Sequence, residues 1–307
     1  MRIEDNRIQF KSLTFSNFKK SKVLKELETS IHYQKKEEAF YWTGELLCSG
    51  HVMDLWNLFF YVMCKYVHVH NPRLPLYIHK KYKEFKEIAS ELTHDLEMRN
   101  HPEIRTTLFT LTLLLCESKR ETILENLHFT FAFENIFTNL KAPNVEYVKP
   151  FFQEGDPKEV YIPLNEFAYH LFETKNRMDL FYWLDWIIQY DDSCTKKKKP
   201  LSCVSRDFIP VKSTNVIWMI FEMILSFQEP EMLYKINDAW MNLFSIKYTP
   251  ATNRRRKHIL TLCILLILNQ SVDFSIKIVE NPSILSPIQE NIRLIFEQIK
   301  KNEIVDE

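Results

Sequence analysis

Two runs of cations are the strongest chemical signal in this sequence. Lys196-Lys197-Lys198-Lys199, with Arg206 beyond it, falls in a polar stretch, 191–213, that reads as a loop. Arg254-Arg255-Arg256-Lys257, followed by His258, opens a helix expected from Asn253 onward. Lysine and arginine side chains neutralise phosphates and release their counterions, so two such runs on one face would track a nucleic-acid backbone. The second run has a cost of its own. Cations at a helix N-terminus oppose the macrodipole, which favours anions there, so something negative must sit close by. A bound phosphate would serve, and so would carboxylates of the chain itself, which holds 40 acidic and 40 basic side chains. The plainer reading is a pair of solvated basic segments. Lys196, Lys197, Lys198, Lys199, Arg206, Arg254, Arg255, Arg256 and Lys257 are therefore the candidate nucleic-acid-binding residues.

Other chemistries find less support. Gly44 and Gly50 are followed by His51, and neither their separation nor that histidine fits a phosphate-binding loop, which ends in Lys-Ser/Thr. His51, His68, His70 and His79 share a region with Cys48 and Cys64, but lack the paired spacing that converges four ligands on zinc. Cys194 and Cys203 flank the lysine run, and two ligands alone do not make a structural site. Asp185, Asp191 and Asp192 lie near Trp183 and Trp186, where burial could raise a carboxyl pKa; capping or pairing with lysine is the commoner role. No nucleophile elbow and no His-Glu-x-x-His is present. No catalytic residue, metal ligand or cofactor is expected.

The elements that must position these residues are helices. With only 3 glycines among 307 residues, the chain has little material for the tight turns and bulges of a sheet-rich fold. Hydrophobic residues make up 46%, enough for a sizeable core. Formal net charge is zero, so any case for nucleic acid rests on local clusters. The six cysteines are scattered, most of them inside apolar stretches, and no signal-like segment opens the sequence, so reduced, mostly buried thiols are expected. The longest apolar run, 259–268, is about half of what a bilayer needs, so no membrane span is predicted.

Helical periodicity starts at Val23 and continues to Leu47, with Gly50 placed to stop it. Leu55, Leu58, Phe59, Val62, Met63 and Tyr66 form the cleanest amphipathic stripe, ended by Asn71-Pro72. Further helices are predicted after Pro75 and over 103–116, 164–173, 179–190, 214–227, 231–248, 253–268 and 287–300, with Asp179, Thr214 and Asn253 as N-caps. Pro143, Pro150, Gly155, Pro157 and Pro163 mark 141–163 as an extended connector. The expectation is an all-α fold, a multi-helix bundle or array in two lobes. It comprises an N-terminal arm (1–22), a helical lobe (23–140), the proline-rich connector (141–163) and a second helical lobe (164–307). Phe40-Tyr41-Trp42 and Phe181-Tyr182-Trp183 echo each other, through duplication or a shared preference for aromatics at a helix start.

The run 39–50, continuing to Leu55-Trp56, resembles a family of uncharacterised proteins of large nucleocytoplasmic DNA viruses. Stretches 140–143 through 165–169, 181–186 to the lysine run, and 246–249 to the arginine run carry the same resemblance. It implies a viral product in the cytoplasm or nucleus of the infected host cell, or in the virion, and brings no catalytic residue. Residues 40–72 also resemble the helical collar of clamp-loader-like proteins, which implies an assembly role only. The function expected is non-enzymatic: protein partners bound through helical faces, and nucleic acid through the basic clusters, in replication, transcription or packaging. A minor structural component of capsid or core is the alternative, and an enzyme with a dispersed site is a third.

Overall fold

The periodicity that starts near Val23 breaks at Gln34, whose φ of 59° separates α1 (Lys20–His32) from α2 (Lys36–Cys48). Gly50 closes α2 as its position predicts. At φ +72° its amide donates to the Leu47 carbonyl at 3.0 Å while His51 donates to Leu46 at 2.9 Å, the paired bonds of a Schellman turn. α3 (Val52–Val62) buries Leu55, Phe59 and Val62 of the predicted stripe. It then widens into a π-turn (Met63–Val67) and tightens into a 3-10 turn (His68–His70) before Asn71-Pro72. The remaining long elements are α4 (Leu74–Glu91), α5 (Pro102–Glu117), α6 (Tyr161–Tyr169), α7 (Arg177–Lys196), α8 (Ile217–Leu225) and α9 (Glu231–Ser245). α10 (Ala251–Arg255), α11 (Lys257–Leu268) and α12 (Ile288–Lys300) complete the series.

This computed structural model describes residues 2–5, 7, 10–93, 95–120, 138–269, 271–279 and 281–304; of the aromatic-rich stretch 121–140, residues 121–137 lie outside it. Among the described residues there is no strand, only an isolated antiparallel bridge between Leu13 and Lys19, and the fold is all-α. No helix among them is long and apolar enough to cross a membrane.

The chain forms two compact units, divided differently from the expected lobes. Met1–Ile123 and Ser275–Glu307 make one, and Leu124–Phe274 the other. The proline-bearing stretch 141–163 thus lies within the second unit. Two side chains of α6 gather its backbone. The Glu166 carboxylate accepts from the amides of Lys141 (2.9 Å) and Ala142 (3.0 Å), and Asn165 Oδ1 from those of Tyr147 (2.9 Å) and Val148 (3.2 Å). Buried side-chain acceptors replace the ladder that prolines deny this segment.

In the first unit α2 is the central element, packed against α1, α5 and α12. Its polar residues are matched inside the core. Thr43 and Thr112 of α5 share a 2.8 Å hydroxyl hydrogen bond, and each hydroxyl also bonds its own helix one turn back. The expected N-terminal arm is tied down here as well. Asn100 brackets the Ile3 backbone from both sides, Arg99 donates to the Asp5 and Arg7 carbonyls, and Phe15 is fully buried. The Glu45 carboxylate, buried in α2, accepts from the Ser16 amide (2.7 Å) and hydroxyl (2.8 Å).

Gly44 sets the distance between α2 and α12. A Cβ there would lie 2.8 Å from Ile299 Cδ1 and 2.9 Å from Ile295 Cγ2, closer than carbon atoms pack. Replacing Gly44 by leucine is therefore expected to lower stability by about 1–3 kcal/mol through overpacking. Urea denaturation reads this as a fall in midpoint at constant slope, and an unchanged midpoint would disprove the close approach.

Candidate nucleic-acid interface

Both basic runs belong to the second unit, and local helix chemistry decides where each cation goes. α7 starts cleanly: Asn176 Oδ1 accepts from the amides of Met178 (3.0 Å) and Asp179 (3.3 Å), so Asn176 rather than Asp179 is the N-cap. The helix then runs six residues into the stretch expected as loop. Its buried stripe includes Asp191, and Asp192 pairs with Lys196 one turn on, Nζ to Oδ2 2.8 Å. It ends on the lysines themselves. Lys198 takes the left-handed conformation (φ 58°), its amide donates to Thr195 O at 3.0 Å, and the Lys199 amide donates to Cys194 O at 2.9 Å. This is a second Schellman turn, followed by Pro200. The lysine run thus crowds a helix C-terminus, where the macrodipole favours cations.

The arginine run resolves its own electrostatic conflict. The expected continuous helix is broken at Arg256 (φ −113°, ψ 17°) into α10 and α11. Arg256 reaches instead to the C-terminal end of α9, where Nη1 donates to the carbonyls of Leu243 (3.2 Å), Phe244 (2.7 Å) and Ile246 (2.7 Å). Arg254 and Arg255 occupy the last turn of α10. Lys257, the only cation of the run in the first turn of α11, lies 2.9 and 3.1 Å from the two oxygens of Asp185 on α7. The chain supplies its own anions and helix ends, with no external phosphate required.

Asp192 joins the two runs. Its Oδ2 lies 2.8 Å from Lys196 Nζ and 3.5 Å from Arg254 Nη1, so the end of α7 and the end of α10 share one surface. Lys196, Lys197, Lys198, Lys199, Arg254 and Arg255 are exposed. Arg255 leans on the hydroxyls of Thr249 and Thr252, both at 3.4 Å.

Arg206 does not belong to this surface. It is 4% exposed and all five of its N–H groups are used inside the unit. They go to Glu222, to both oxygens of Asp156 and to the carbonyls of Phe151 and Val204. Burial pulls the guanidinium pKa down, and the hydrogen bonds it donates to Asp156 and Glu222 outweigh this, leaving it above its ordinary value. Arg256 and Lys257 likewise act within the fold, one on a helix end and one on a buried carboxylate.

Beneath the shared surface lies a polar cluster that sequence reading missed. Asp191 Oδ2 accepts from Asn215 Nδ2 (2.8 Å) and Asn253 Nδ2 (3.3 Å), Asn253 also donates to Asn215 Oδ1 (2.9 Å), and the Tyr248 hydroxyl donates to Asn253 Oδ1 (2.8 Å). Asn253, predicted as an N-cap, is therefore an internal link between α10 and α7. Thr214 is not the cap of α8 either: Asn215 Oδ1 takes the Ile217 amide at 3.0 Å. Asp191 is 2% exposed, and its Oδ1 has no hydrogen-bond partner among the described residues. Burial raises its pKa, the two amide hydrogen bonds oppose this, and the charge of Asp192 adds to it. The adjacency of Asp191 and Asp192, one inward and one outward on a helix, was the available signal.

Among the described residues no group of three His, Cys, Asp or Glu side chains could hold a metal ion. Burial pushes the Cys203 thiol up to about 11 and those of Cys48 and Cys116 up to about 12, so these three are poor nucleophiles. Comparison with protein-family models, curated proteins and solved structures finds no match.

Two outcomes follow. Arg206→Gln strands the buried Asp156 carboxylate and is expected to cost about 3–5 kcal/mol in chemical denaturation, whereas Lys197→Ser stays within about 0.5 kcal/mol. Equal, small effects would return Arg206 to the exposed set. Asp191 has a raised folded-state pKa, so it contributes more stability below the unfolded value of about 3.9 and loses it as pH rises through the folded value. An NMR titration of the Asp191 carboxyl carbon should show a midpoint above about 3.9; one at or below that value contradicts the desolvation argument.

Proposed function

We propose that this chain is a non-enzymatic helical protein that holds nucleic acid on the surface formed by the ends of α7 and α10. The observation that carries the reading is the shared Asp192 carboxylate, which brings Lys196 and Arg254 together from positions 58 residues apart. Six exposed cations lie at these two helix ends, and four of them, Lys197, Lys198, Lys199 and Arg255, have no carboxylate at salt-bridge distance among the described residues. Solvated cations of this kind, on short backbone-ordered turns, neutralise phosphates without reading bases, so the binding expected is electrostatic and sequence-tolerant. The resemblance to proteins of large nucleocytoplasmic DNA viruses fits an accessory part in replication, transcription or packaging.

The test is binding of fluorescent single- and double-stranded nucleic acid across a salt series. The wild-type chain is compared with a variant carrying serine at Lys196, Lys197, Lys198, Lys199, Arg254 and Arg255. Arg206, Arg256 and Lys257 are left intact because they hold the fold together. Affinity should fall steeply with salt, and the variant should lose most of it while melting at the same temperature. Each phosphate contact removed should flatten the logarithmic salt slope by about 0.7–0.9. No binding by the wild-type chain at low salt sinks the reading.

A further inference from the structure

We propose that the groove between α2 and α12 docks a basic amphipathic helix of a partner protein. The groove lies in the first unit, and the inference does not rest on the nucleic-acid reading.

The crossing at Gly44 brings the two helices to van der Waals contact, and the groove opens beside the part of α2 that precedes it. It encloses about 510 Å³. One wall is the aromatic run of α2, Phe40, Tyr41 and Trp42, and the other is Leu294 and Ile295 of α12. α12 already buries Ile288, Ile292, Phe296 and Ile299 on its inner stripe. Leu294 lies off that stripe and is 48% exposed, facing water beside half-buried Tyr41 and Trp42. The rings are held in place: Trp42 packs edge-on against Phe18 (5.5 Å) and Tyr41 (5.0 Å between centroids). Tryptophan and tyrosine are the side chains that dominate binding hot spots, and holding them fixed reduces the entropy lost on association.

The occupant follows from the shape and charge of the walls. Both walls are helices whose backbone groups are satisfied internally, so they offer no edge for an added strand. A channel between two helices instead takes the apolar face of a third, with anchors at i, i+3 or i+4, and i+7. The charged side chains lining the groove are carboxylates, Glu37 and Glu38. They stand in the first turn of α2, where the dipole favours them, and Glu38 is shared with Lys35 at 3.1 Å. Glu37 is exposed and makes no salt bridge among the described residues. A partner helix with lysine or arginine at the end that meets this turn gains both contacts.

The probe is a fluorescein-labelled helical peptide of about five turns. It carries leucines along one face and lysines at one end, beside a twin with glutamates for lysines. Anisotropy should give a micromolar Kd for the lysine peptide and much weaker binding for its twin. Leu294→Asp should weaken binding at least about tenfold, and the pair Glu37→Lys, Glu38→Lys should reverse the preference between the peptides. All three positions are exposed, and unchanged melting temperatures confirm that the variants fold. Binding indifferent to Leu294→Asp, absence of discrimination between the peptides, or no binding overturns the proposal. A dimer in sedimentation velocity that Leu294→Asp dissociates overturns it in favour of a second copy as occupant. None of these outcomes touches the lysine and arginine surface, so failure here leaves the nucleic-acid reading standing.

Discussion

Every helix leaves carbonyl groups without partners at its C-terminal end, and a chain of this kind has many such ends to close. Glycine is the usual solution, because it enters the left-handed region without a Cβ penalty. Here there are three glycines in the whole sequence, and Gly44 lies inside a helix. Gly50 closes α2, and several other ends are closed by residues with side chains. Gln34 ends α1, Lys175 ends the turn that follows α6, and Lys198 ends α7, each at positive φ. Lys247 does the same one residue beyond Ile246, next to the carbonyls that Arg256 collects. Several of the lysines and arginines that stand out in the sequence are therefore helix terminators, placed where the macrodipole favours positive charge.

That constraint organises the charge of the second unit. Cations turned inward each meet a specific acceptor: Arg206 with Asp156 and Glu222, Lys257 with Asp185, Arg256 with the end of α9. Cations turned outward sit on the same short turns and are ordered by backbone hydrogen bonds. The difference between the groups lies in burial and not in residue type, which is why nine similar side chains divide so differently. Asp191 and Asp192 divide in the same way. One carboxylate links α7 to Asn215 and Asn253, and its neighbour bridges the exposed ends of α7 and α10.

What could be read from the sequence was local. The stop at Gly50, the stripe through Leu55, Phe59 and Val62 and the extent of α12 all follow from patterns within one element. Where the outcome depended on a distant partner, the pattern misled. Residues 191–196 look like loop because they are polar, yet Asp191 is held by Asn215 and Asn253, which come later in the chain. Prolines mark 141–163 as extended, but Asn165 and Glu166 fold it onto α6. Arg206 has the composition of a surface residue and the surroundings of a core one. Nothing within the lysine and arginine runs says that they share a face; Asp185, Asp191 and Asp192, through Lys257, Asn253 and Arg254, relate them in space.

The order of the two units along the chain has a consequence for synthesis on the ribosome. Residues of the second unit, 124–274, emerge before α12, which belongs to the first. Until α12 is made, the face of α2 around Gly44 that it covers stays open to water, with Phe109 of α5 exposed beside it. The nascent chain therefore carries a half-finished bundle through the translation of some 150 residues, a delay of about 8–30 s at ordinary elongation rates. During that interval the growing polypeptide exposes apolar helix surface that the finished bundle hides.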